Sequence, residues 1–134
     1  MTAVPDAVRR EARVRAGMRC EYCRLPDSEG EHPFHIEHII SRKHGGASSL
    51  ENLAWSCFPC NSAKGPDIGA NDPLTGKLTS LFNPREQQWH DHFELADGEI
   101  LGKTAVGRAT IVLLRVNSQK QIALRRKLHE LGQW

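Results

Sequence analysis

The chain has 134 residues, 39% of them hydrophobic and 25% charged, with a formal net charge of +2. These proportions suit a globular chain with a modest core and exclude a disordered or fibrous one. No stretch approaches the ~20 consecutive apolar residues of a membrane span. The opening MTAVPDAVRREARVRAG also lacks the apolar run of a secretory signal, so a cytoplasmic protein with no membrane partner is expected.

Charge is unevenly distributed. Residues 5–24 hold six arginines against three acids, residues 103–127 hold seven Lys/Arg and no acid, and residues 86–99 hold five acids and no Lys/Arg. Two basic segments around a neutral middle suit a phosphate backbone. Solvated helix faces would carry the same charges.

In chain order, Pro5 to Ala16 reads as a helix, with Pro near its start and Gly17 past its end. CEYC (residues 20–23) follows, then the loop RLPDSEGEHP. The β-branched residues in FHIEHII predict a strand from Phe34 to His38 or Ile39. SRKHGGASS is a loop, and Ser48 with Glu51 has the spacing of a capping box for a helical turn over 49–52. LAWSC predicts a second strand. A helix from Phe58 should stop at Gly65-Pro66. GPDIGANDPLTGKL reads as a turn-rich connector, and a helical turn is expected after Pro84. Asp97-Gly98, between apolar stretches, is the best hairpin signal in the chain. Val106, Ala109, Leu113 and Val116 have helical spacing, and Asn117 or Ser118 caps a last helix to about Leu131. One domain is expected over 1–134, with a core at 20–65 and an extension, 66–134, packing on it.

Cys20, Cys23, Cys57 and Cys60 form two Cys-x-x-Cys pairs. A turn with two intervening residues aims both thiolates at one point, and two such turns complete a tetrahedron around Zn²⁺. Disulfides fit poorly in a chain without an export signal, and a redox pair leaves the second Cys-x-x-Cys unexplained. Four protein ligands leave no open position, so this zinc is structural.

Between the knuckles, HIEHIISRKHGG packs three histidines, a glutamate, two basic residues and a glycine pair into residues 35–46. The strings CEYC, HIEHI, KHGGASSLENL and CFPCNSAKG, in that order, resemble the HNH endonuclease family. LFNPREQQWHDHF and GRATIVLLRVN are similar to an extension of its small stand-alone bacterial members. The resemblance implies an α+β fold. Its ββα-metal core is stapled by the zinc knuckles and joined by an N-terminal helix and a C-terminal hairpin plus helices.

The resemblance also implies DNA as partner and a metal-dependent phosphodiester hydrolysis. His38 is the general base, and Glu37 and Asn61 hold a catalytic Mg²⁺ or Mn²⁺. Asn52 ties the loops that orient His38, and Lys64, Arg42 and Lys43 meet the DNA. A histidine has the intrinsic pKa for the base, and carboxylate oxygen suits these cations. Adjacent strand residues face opposite ways, so Glu37 and His38 share one site only if the strand ends or bends there. His35 falls on the Glu37 face. His44 reads as a loop or substrate contact, His90 and His92 as packing, and Arg85 and Arg108 as phosphate contacts or structural ion pairs. A non-catalytic zinc-knuckle module that binds nucleic acid is the alternative. It needs none of Glu37, His38 and Asn61.

Overall fold

A computed structural model describes residues 4–134. The chain divides into two compact units, Met1–Asp67 and Ile68–Trp134. The fold is α+β, with three two-stranded antiparallel sheets and helices among the described residues. No helix among them is long and apolar enough to cross a membrane.

In the first unit, α1 (Asp6–Arg15) ends where Gly17 and Met18 take positive φ. Its side chains are tied to the rest of the unit. Arg15 donates to the carbonyls of Leu50 and Leu53 at 2.8 and 2.6 Å, Arg13 pairs with Asp27, and Arg9 lies over the Trp55 ring. Strands β1 (His35–His38) and β2 (Leu53–Ser56) pair with His38 opposite Leu53 and Glu37 opposite Ala54. Helix α2 (Phe58–Lys64) starts on Cys57 and stops at Gly65, before Pro66. Leu53, Ala54 and Trp55 are buried with Phe34 and Ile39.

In the second unit, residues 68–80 are not simply a connector. β3 (Gly69–Asn71) pairs with β4 (Leu78–Ser80). The turn between them is wound on Asp72, which accepts from Leu74 N–H and the Thr75 hydroxyl. Arg108 grips the same carboxylate through two 2.9 Å bonds, and this holds Asp72 well below the usual carboxylate range. Of the two readings of Arg108, the ion pair is the one found. A short α3 (Trp89–His92) leads into the hairpin of β5 (Phe93–Ala96) and β6 (Glu99–Gly102), with Asp97-Gly98 at its turn. Helices α4 (Ala105–Leu114) and α5 (Gln119–Glu130) complete the unit, with Ser118 capping α5. Phe82, Phe93, Ile100, Leu114 and Leu128 are buried there.

The basic segments offer less free charge than their composition implies. Arg125 is buried and donates to the carbonyls of Gly98 and Val116, and Arg126 is bound to Asp97. Both guanidiniums brace turns, and the buried one of Arg125 finds there the partners that a buried cation needs.

Candidate metal centre and active site

The first knuckle is a tight turn closed by Cys20 N–H to Leu25 O and Arg24 N–H to Cys20 O, with Arg24 at φ 69°. The turn aims the amides of Tyr22 and Cys23 at the Cys20 sulfur, each at 3.4 Å. The second knuckle is the start of α2, where Cys57 Sγ accepts from Cys60 N–H. All four cysteines are buried, and their sulfurs lie within 4.8 Å of one another. Cys23 and Cys57 sulfurs are 3.7 Å apart. A Zn²⁺ with Zn–S bonds of ~2.3 Å has tetrahedral edges of about 3.8 Å, so the sulfurs are placed for zinc.

The electrostatics agree. Burial opposes ionisation of Cys20, yet bonds from Cys23, Cys57 and Cys60 pull its thiol below the usual range. Bonding to Cys20 in turn drives the thiols of Cys57 and Cys60 up. Four buried thiolates side by side need a dication among them.

His38 ends β1 and is half-buried. Its Nε2 lies 2.9 Å from Ser48 Oγ, and Arg42 Nε donates to it at 3.4 Å. Burial and then the Arg42 charge lower its pKa, which favours the neutral imidazole. Ser48 therefore does not serve as a cap. The turn at Leu50–Asn52 begins on Ser49, without a side-chain capping bond.

The segment between the strands is held by Asn52. Its Oδ1 accepts from Ile40 N–H at 2.9 Å, and its Nδ2 donates to the Ile40 and Ala47 carbonyls at 2.8 Å each. One side chain thus fastens both ends of the loop that carries Arg42, Lys43 and His44, all exposed. Gly46 lies against this clamp. A Cβ there would overlap the Ile40 carbonyl oxygen and come within 2.7 Å of Asn52 Nδ2. Gly46→Ala should therefore lower stability by about 1–3 kcal/mol, the usual range for overpacking. It should also release Ser48 from His38. Thermal melts and the His38 ring chemical shifts check this, and an unchanged melt together with unchanged shifts would refute the close approach.

Glu37 occupies a different environment. As the residue before His38 in a regular strand, it faces the other way. Its carboxylate is buried, with Oε2 2.5 Å from the Tyr22 hydroxyl, which donates to it, and Oε1 2.6 Å from Lys64 Nζ. Lys64 Nζ also donates to Ile39 O at 2.9 Å. The expectation that Lys64 meets DNA is thereby corrected, since only 1% of its side chain is exposed. A helix face packed on β1 turns it inward, and Glu37 supplies its counter-charge. Glu37 and His38 have separate side-chain partners, Tyr22 and Lys64 for the carboxylate and Ser48 and Arg42 for the imidazole. A donor set of Glu37 and Asn61 does not fit a divalent ion as it stands, because an ammonium already contacts the carboxylate. Asn61 is half-buried on α2, three residues before Lys64, and its side chain makes no hydrogen bond among the described residues.

Sequence reading missed Tyr22, Ser48 and Arg15 as supports. Tyr22 had one signal, a phenol inside a knuckle, where a hydroxyl must find a partner when buried.

No curated protein and no solved structure matches the chain. Residues 20–67 match the family model described as HNH endonuclease. The matched segment spans the paired knuckles, antiparallel β1–β2 and the following α2, so over residues 20–67 the chain is similar to HNH endonucleases.

Proposed function

We propose that the protein is a metal-dependent endonuclease that hydrolyses DNA phosphodiester bonds, with His38 as general base. The observation that carries this reading is a neutral-leaning imidazole, half-open to solvent, in a segment that matches the HNH endonuclease model. In the proposed step the imidazole takes a proton from water, and the resulting hydroxide attacks phosphorus. The P–O bond to the leaving oxygen breaks, and that oxygen is protonated by solvent. Asn52 keeps the loop in place, Ser48 holds the ring, and Arg42 and Lys43 face the phosphate. A divalent ion supplies Lewis-acid stabilisation of phosphate charge when bound. The zinc stays structural, holding α2 and the first knuckle together.

A second reading, the non-catalytic module that binds nucleic acid through its knuckles, is favoured by the contact of Glu37 with Lys64. Supercoiled plasmid incubated with zinc-loaded protein in Mg²⁺, Mn²⁺ and EDTA separates the two. Nicked or linear product in the metal arms alone supports the nuclease. Plasmid bound but intact in every arm supports the module.

Binding itself gives a further check. Each cationic side chain withdrawn from a phosphate should reduce the slope of log affinity against log salt by about 0.9 on duplex DNA. Arg42→Gln with Lys43→Gln should therefore flatten the slope measurably in fluorescence anisotropy titrations. Arg125 is the wrong residue for such a test, because its removal strips the bonds to Gly98 and Val116. An unchanged slope would remove the 42–43 turn from the DNA interface.

A further inference from the structure

From the buried contacts of Glu37 we infer that Lys64 is its built-in counter-cation. The ammonium stands where the family resemblance puts a divalent ion, and Glu37 ligates no catalytic metal. This pairing rests on the site of the proposed nuclease, but metal binding tests it without any need for cleavage.

Three observations carry it. The first is occupancy. Nζ is 2.6 Å from Glu37 Oε1 and 2.9 Å from Ile39 O, while Oε2 takes the Tyr22 hydroxyl. Oε1 accepts no aligned hydrogen bond, so the ammonium is held there by charge. A dication at the same oxygen would meet that ammonium at close range, and like charges that close repel strongly in a poorly solvated site.

The second is access. The two side chains are 1% and 3% exposed. Mg²⁺ dehydrates reluctantly and usually keeps several waters, and a carboxylate this buried is withheld from them.

The third is mutual dependence. Removing either member of a buried pair leaves an uncompensated charge, so each holds the other in place. The chain Tyr22–Glu37–Lys64 joins the first knuckle, β1 and the end of α2. Tyr22 sits between two zinc ligands and Lys64 lies four residues after a third. Glu37 and Lys64 thus act as positioning residues for the frame that presents His38, and any divalent ion used in hydrolysis is held without Glu37.

The test uses the full zinc-loaded chain, with zinc verified by elemental analysis before and after. Mn²⁺ binding is followed by electron paramagnetic resonance in wild type and Glu37→Gln. The expected result is the same Mn²⁺ affinity in both proteins, or no stoichiometric Mn²⁺ site in either. A drop of about tenfold or more in Glu37→Gln, the scale seen when a metal site's support is removed, would overturn the proposal. Lys64→Met provides a second arm. It should lower the melting temperature, and adding Glu37→Gln to it should restore part of the loss, because the orphaned carboxylate is then neutral. Additive losses in the double variant would refute the pairing. If Lys64→Met does not fold, the wild type and Glu37→Gln comparison still decides. A failed plasmid assay would count against the nuclease reading while leaving these outcomes unaffected.

Discussion

Cys60→Ser is expected to leave the first unit unfolded, the largest effect of any single substitution here. Cys60 is fully buried and comes one helical turn after Cys57, whose sulfur receives its amide. The serine oxygen is a poor replacement for a thiolate ligand, and it would sit among three sulfurs lying within 4.8 Å of one another. Zinc binding in such sites contributes folding free energy on the order of 10 kcal/mol at neutral pH, comparable to the whole stability of an ordinary domain. The knuckles also hold the ends of a long loop together. Residues 24–56 carry only short strands and single turns, which cannot offset the entropy of closing that loop. Elemental analysis of wild type should find about one zinc per chain. Cys60→Ser should lack zinc and lose amide protection across β1, β2 and α2 in hydrogen exchange. Wild-type protein free of zinc, or with two intact disulfides, would refute the claim.

The second large effect is catalytic. His38→Ala should reduce plasmid cleavage by about 10²–10⁴-fold, the usual cost of losing a general base. Zinc content and DNA affinity should stay near wild type. The ring bonds to Ser48 and Arg42, on an exposed loop that Asn52 fastens separately. The pH profile tests the same residue. The working form is neutral, so the rate should rise with pH as His38 loses its proton. Burial and Arg42 both disfavour the charged ring, so the rise should be centred below the ordinary histidine value of about 6.5. Arg42→Gln removes one of these causes and should move the midpoint up. His35→Ala serves as control, since His35 packs beside Phe58 on the face away from His38. Wild-type cleavage by His38→Ala, with His35→Ala or His92→Ala inactive, would show that another histidine is the base.

Features set by neighbours along the chain were legible in the sequence. Two residues between cysteines make a knuckle wherever they occur, and Gly65-Pro66 stops a helix by its own backbone preferences. Asp97-Gly98 turns a hairpin in the same local way, and Ser118 caps α5. The order of strand, loop, strand and helix was readable for the same reason. The β3–β4 pair escaped notice because its strands are three residues each and their turn is wound on Asp72, whose main partner, Arg108, lies on α4. Ser48 looked like a cap because the spacing to Glu51 suits one, but the folded loop gives its hydroxyl to His38. Glu37 looked like a ligand of the catalytic metal and Lys64 like a DNA contact. Their partnership spans 27 residues and exists because the zinc knuckles dock α2 on β1, which puts an ammonium and a carboxylate out of water at 2.6 Å. Sequence by itself determined the metal frame and the element order, both of which rest on local geometry. Which titratable groups stay open to solvent and which neutralise one another was decided by tertiary packing, since burial makes the pairing of charges compulsory.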